Sequence, residues 1–86
     1  MHELSIAVSL VEAICDELPK LGAVRIHAVR LRVGEWSGVA PEALSFAFSV
    51  ASEGSPLAGA SLQVEQTKGR ELELAALEVF DAAADS

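Results

Sequence analysis

From Leu4 onward, apolar residues return every three or four positions, at Leu4, Ala7, Val11, Ile14 and Leu18, and Ile6 and Leu10 widen the stripe. That period predicts an amphipathic helix with Glu12, Asp16 and Glu17 on its polar side. Pro19 and then Gly22 signal its end, or a kinked last turn that runs past the proline. The period then changes to two. Val24, Ile26 and Ala28 hold one alternation and Val29, Leu31 and Val33 the other, which predicts a strand with a phase slip near Ala28 and Val29. A β-bulge or a late strand start accounts for the slip, because one extra residue turns every following side chain to the opposite face. Arg30 and Arg32 then point away from Leu31 and Val33.

Gly34 to Ala40 reads as a loop. A second helix follows, with Pro41 at its first position and Glu42 where a carboxylate meets the positive helix end. Leu44, Ala47, Phe48 and Ala51 form its inward stripe, flanked by Phe46 and Val50, and Gly54 with Pro56 stops it. Ser61 to Gln66 alternates cleanly, with Leu62 and Val64 inward. Thr67 to Arg70 reads as a tight hairpin turn with Gly69 free to take positive φ, and Glu71 to Phe80 as the return strand, with a second phase slip near Ala75 and Ala76. The order helix, strand, helix, strand, strand predicts an α+β two-layer domain, with two helices on one face of a mixed three-stranded sheet. It spans residues 1–80, and 81–86 form a frayed acidic tail. On the open face Arg30 and Arg32 are placed to meet Glu65, Glu71 or Glu73 across strands.

Composition narrows the class. At 86 residues and 51% hydrophobic content the chain makes one small domain of modest stability, which dimerisation would help. Some homodimer is expected, by exchange of the last strand across the shortened turn. A formal charge of −7 argues against nucleic acid, which selects a basic patch. No apolar run approaches the ~20 residues that span a bilayer, and the opening residues lack the order of a signal peptide, so no membrane contact and a cytoplasmic location are expected. The single cysteine, Cys15, gives no disulfide framework and reads as a packing residue at the edge of the first helix's stripe. Enzymatic activity finds no support: two histidines, no Gly-rich phosphate loop and no Ser-His-Asp order leave no oriented nucleophile.

The chemistry that remains lies at the start of the chain, Met1, His2 and Glu3. A free amine on Met1 and the backbone nitrogen of His2 close a five-membered chelate, and that backbone nitrogen with the imidazole Nδ1 closes a six-membered one. Three nitrogens near one plane suit Ni(II) or Cu(II) better than tetrahedral Zn(II). Glu3 can add its backbone nitrogen or its carboxylate. On chemistry alone, a solvated histidine near a terminus is the commoner reading. His27 has no chelating neighbour at short spacing and reads as a strand-surface residue. Trp36, in the loop with Glu35, reads equally as a partner anchor or as half-buried packing at a strand end.

Three segments carry a resemblance: MHELSIA at 1–7, RLRVGEWSGVAPEALSFAF at 30–48 and GRELELAALEVF at 69–80. Together they resemble the nickel-incorporation accessory proteins HypA/HybF, which help mature [NiFe] hydrogenases and, in some organisms, urease. The resemblance places the nickel site on Met1, His2 and Glu3. It implies a metallochaperone that passes Ni(II) to a maturation complex with a nickel-handling GTPase and the hydrogenase large subunit. Glu35, Trp36, Arg30 and Arg32 are the candidate partner-binding residues. One departure is large. Family members carry a zinc module with two CxxC pairs where this chain has only Thr67, Lys68 and Gly69, and with Cys15 alone no such site forms here, so no zinc is expected. The alternative function is a metal-free interaction module that keeps the scaffold and its docking surface.

Overall fold

A computed structural model describes residues 2–22 and 24–81, and leaves the side chains of residues 24, 80 and 81 undescribed. Helix α1 spans His2–Leu21, strand β1 Val24–Gly34, helix α2 Pro41–Ala51, strand β2 Ser61–Thr67 and strand β3 Leu72–Asp81. The two helices and the mixed three-stranded sheet are those the periodicities predict. Met1, the first of the expected metal ligands, lies outside the described residues, as do residues 82–86 of the expected tail, while Asp81 belongs to β3.

Helix α1 continues through Pro19 to Leu21. Proline removes one backbone donor, but in the last turn this breaks a single bond, and Gly22 then ends the helix at φ +78°, a conformation a side chain would strain. Ala7, Val11 and Ile14 are its buried residues, and Leu4, Ile6, Leu10, Cys15 and Leu18 pack partly buried against the same core, as the stripe requires. In α2 the buried residues are Leu44, Ala47 and Phe48, whereas Phe46 is 71% exposed. Two core residues come from outside the regular elements: Val39 in the loop before α2, and Leu57, fully buried in the turns after it.

The strands are ordered β2-β1-β3. Strand β1 pairs parallel with β2, from Ala28 opposite Ser61 to Gly34 opposite Thr67, and antiparallel with β3. The parallel pair follows from α2, since only a long crossover returns the chain in the same direction. Strand β1 takes the centre because it is the most apolar of the three, burying Ile26, Val29, Leu31 and Val33. Both phase slips are register shifts in the β1/β3 ladder: Ile26 and Ala28 face Val79 and Glu78, which leaves His27 over, and Arg30 and Leu31 face Ala76 and Leu74, which leaves Ala75 over. The two bulges lie on opposite strands and offset each other, so inward and outward faces agree at both ends of the ladder.

The hairpin expected between Ser61–Gln66 and Glu71–Phe80 does not form, because those strands are the two edges with β1 between them. A short link usually signals a hairpin, but here residues 68–71 cross the end of β1. Two strand spacings of about 4.8 Å each are within reach of four residues. The crossing is fastened to β1 by Gly34 N–H to the Glu71 carbonyl at 2.7 Å, Glu35 N–H to Thr67 O at 2.9 Å and Trp36 N–H to Gly69 O at 2.9 Å. Gly69 itself does not take the positive φ expected of a hairpin turn; Gly22, Gly38, Gly54 and Gly59 do. The expected strand exchange, which rested on a shortened hairpin, loses that basis.

The core is built from apolar side chains, and among the described residues no group of three or more His, Cys, Asp and Glu is placed to hold a metal. Adding EDTA is therefore expected to leave the thermal unfolding midpoint unchanged; unfolding on chelation would mean that a bound metal holds the fold.

Candidate metal centre

The helix that buries Ala7 and Val11 also fixes where His2 and Glu3 sit. His2 is the first residue of α1, and the first four N–H groups of a helix have no carbonyl one turn back to receive them. A metal that takes the His2 backbone nitrogen therefore breaks no helical hydrogen bond. The His2 side chain is 60% exposed, and it borders an open groove of about 540 Å³ shared with Ser5, Ile6, Ser9 and Leu72.

Glu3 is held more tightly. Its side chain is 21% exposed, its Oε2 lies 3.9 Å from His2 Nδ1, and the same oxygen accepts the Ala40 N–H at 3.4 Å. Ala40 is the N-cap of α2, and its methyl side chain offers no capping acceptor. In a capping box the third residue of a helix reaches back to the N-cap N–H; here Glu3 supplies that acceptor from the other helix. The carboxylate thus sits at the positive ends of both helices. Its pKa is lowered from 4.5, first by its own backbone N–H, then by that of Ala40, with a smaller contribution from His2 and some opposition from burial.

A lowered pKa means that the carboxylate stabilises the fold above its unfolded value, and that this contribution is lost as pH falls through the folded value. Glu3→Gln is expected to lower stability at neutral pH, where the carboxylate is ionised, and to converge with the parent below pH 4.5 as Glu3 takes up its proton, which flattens the acid limb of the variant. Urea midpoints across that range check this, and parallel acid limbs in the two proteins would remove Glu3 from the junction.

The described residues contain no group of three or more His, Cys, Asp and Glu side chains arranged to hold a metal. Side chains of the described residues alone therefore do not make a complete centre here. Of the predicted residues, the structure brings His2 and Glu3 together and adds Ala40. The loop with Glu35 and Trp36 runs from the crossing at Gly69 to Ala40, so it joins the sheet end to the start of α1, and Trp36 is 68% exposed. This decides between its two readings in favour of an outward side chain.

Arg30 and Arg32 lie elsewhere, on the sheet face away from the helices. Arg32 pairs with Glu73 at 3.4 Å and Glu65 at 3.8 Å, as the alternation predicts, while Arg30 takes Glu78 at 2.8 Å and the Glu71 carbonyl serves Gly34. The bulge at Ala75 shifts the later residues of β3 and brings Glu78 within reach. These side chains are 36–55% exposed, so each pair contributes about 0.2–1 kcal/mol at most. Sequence reasoning missed the Glu3–Ala40 bond, and the signal for it was an alanine at an N-cap position, a residue unable to cap its own helix.

Residues 1–79 match the family model described as hydrogenase/urease nickel incorporation, metallochaperone, hypA. Curated relatives named hydrogenase maturation factor HypA include that of Deinococcus radiodurans, 51% identical over 69 residues, which are 80% of this chain and 58% of the relative. That of Chloroflexus aurantiacus is 50% identical over 66 residues, 77% of this chain and 58% of the relative. The Methanopyrus kandleri protein is 45% identical over 69 residues, 80% of this chain and 49% of the relative. The chain thus spans about half the length of the curated relatives it matches. With a family model over nearly its whole length and relatives at about half identity, the chain belongs to the HypA family of hydrogenase/urease nickel-incorporation metallochaperones.

Proposed function

We propose that the chain binds Ni(II) as cargo at its start, through the Met1 amine, the backbone nitrogen and Nδ1 of His2, and a fourth donor from Glu3. It then releases the ion to a hydrogenase maturation complex containing a nickel-handling GTPase and the hydrogenase large subunit. The observation that carries the reading is the position of His2 as the first residue of α1, with an exposed imidazole and a backbone N–H that no helical carbonyl requires. Nitrogen donors near one plane are the set that Ni(II) accepts. The positive end of α1 disfavours a bare dication, and deprotonation of the ligating backbone nitrogens on binding offsets that repulsion.

The fixed Glu3 carboxylate favours its backbone nitrogen as the fourth donor. The carboxylate already serves Ala40, and moving it would leave the α2 N-cap donor unmet. If the Glu3 backbone nitrogen alone binds, Glu3→Ala is a milder change for nickel than loss of the imidazole; if the carboxylate binds, the two losses are equal. Protons compete for the same nitrogens, so nickel affinity falls as pH drops.

The test compares protein carrying a free Met1 amine with the same protein acetylated at that amine. Acetylation removes the first chelate ring and is expected to weaken nickel binding by at least ~100-fold, about 2.8 kcal/mol, in calorimetric titration. Equal affinity in both forms would place the ion elsewhere.

A further inference from the structure

Strand β3 is an edge of the sheet, hydrogen-bonded only to β1, so among the described residues its outer row of backbone groups meets no other strand. Edges of soluble proteins are usually blunted by shortness, proline or lysine. This one runs ten residues, Leu72–Asp81, and contains no proline or lysine; the bulge at Ala75 is its one interruption among the described residues. Beside it, on the helix side, lies an apolar trough. The groove next to His2 continues into a second of about 250 Å³ that includes Leu10, Leu31 and Leu74, and the two share Ile6, Ser9 and Leu72. Leu72 is 39% and Leu74 45% exposed.

We propose that the outer edge of β3, together with the trough between β3 and α1, is the docking site for an extended segment of a partner protein, apolar on one face and basic on the other, which adds to the sheet as a fourth strand. The unmet backbone row selects an extended chain, since only a strand matches its spacing of donors and acceptors. The trough selects apolar side chains at alternate positions of that strand. The opposite face selects charge: among the described side chains of β3, the ionisable ones that point away from the helices are Glu73 and Glu78, each paired on its inner side with an arginine of β1 and still about half or a third exposed, and the strand contains no lysine or arginine.

A second copy of this chain fits less well. Pairing β3 with its own copy in the register that sets Glu73 opposite Glu78 brings like charges together, and it does so in a chain of net charge −7. A strand with lysine or arginine on its outward face instead adds to the existing Arg30–Glu78 and Arg32–Glu73 ladder.

The probe is a synthetic ten-residue peptide of alternating valine and lysine, labelled for fluorescence anisotropy and titrated with the intact protein. It is expected to bind at least ~10-fold more tightly than a block peptide of the same composition. It should also bind at least ~10-fold more tightly than the same peptide with alternate amides N-methylated, which cannot pair along a strand edge. Leu74→Lys should weaken binding ~10-fold, and Phe46→Lys, on the exposed face of α2, should leave it unchanged. Amide shifts should map to β3 and α1. Equal binding of the N-methylated peptide, equal loss in Phe46→Lys, or shifts centred on β2 would overturn the proposal. So would sedimentation showing that a second copy of the chain already covers β3. Should Leu74→Lys prove unstable, the N-methylated peptide against the unaltered protein still decides.

Discussion

Gly34→Ala is expected to cost about 3 kcal/mol of stability, a large share of the roughly 4–13 kcal/mol that a domain of this size holds. A Cβ on Gly34 would land on the Gly69 carbonyl and within 2.8 Å of the Arg70 nitrogen, both of them backbone atoms. They cannot swing aside, because the crossing between β2 and β3 is tied down by the Glu71, Thr67 and Gly69 carbonyls accepting from Gly34, Glu35 and Trp36. Relief of the clash therefore means lifting the crossing and giving up several of these bonds, each worth about 0.5–1.5 kcal/mol net. Gly69→Ala makes the contrast on the other side of the same contact. There the nearest atoms belong to the flexible, partly exposed side chain of Glu71, which can rotate away, so the change should cost about 1 kcal/mol or less. Urea unfolding of the two variants beside the parent reads the difference. Equal losses would mean that the crossing is not pinned to β1.

Much of this architecture is legible in the sequence because burial on one face imposes a period. The α1 stripe at Leu4, Ala7, Val11, Ile14 and Leu18 and both phase slips in the β1/β3 ladder are visible as breaks and repeats in the apolar positions. Strand order is not legible in the same way. Alternation says which face of a strand is buried and nothing about which strand sits beside it, and the four residues after Thr67 fit a hairpin turn as readily as a crossing. Leu57 and Val39 were invisible for a related reason, since a single buried residue in a turn has no period to reveal it. At the candidate centre, His2 and Glu3 were legible through their adjacency to the chain start. The bond from Ala40 to Glu3 joins residues 37 apart and depends on how α1 and α2 pack, which no local pattern encodes.

His2→Ala is expected to abolish nickel binding at the chain start while leaving the fold intact. The imidazole is the only side-chain nitrogen in the proposed chelate, so its loss opens the six-membered ring. A fall of at least ~100-fold in affinity, about 2.8 kcal/mol, follows. The fold survives because the His2 side chain is 60% exposed and the buried stripe begins beyond it. Glu3→Ala separates two versions of the site. If only its backbone nitrogen binds the ion, affinity changes several-fold at most; if its carboxylate completes the plane, the loss equals that of His2→Ala. The stability cost of Glu3→Ala, through the Ala40 N–H it leaves unmet, is read separately by unfolding and does not confound the titration. The most direct measurement is therefore a calorimetric nickel titration of the untagged parent and of His2→Ala, side by side near neutral pH and again in mild acid. The account predicts a single strong site in the parent that weakens in acid and is missing from His2→Ala; equal nickel affinity in the two proteins would contradict it.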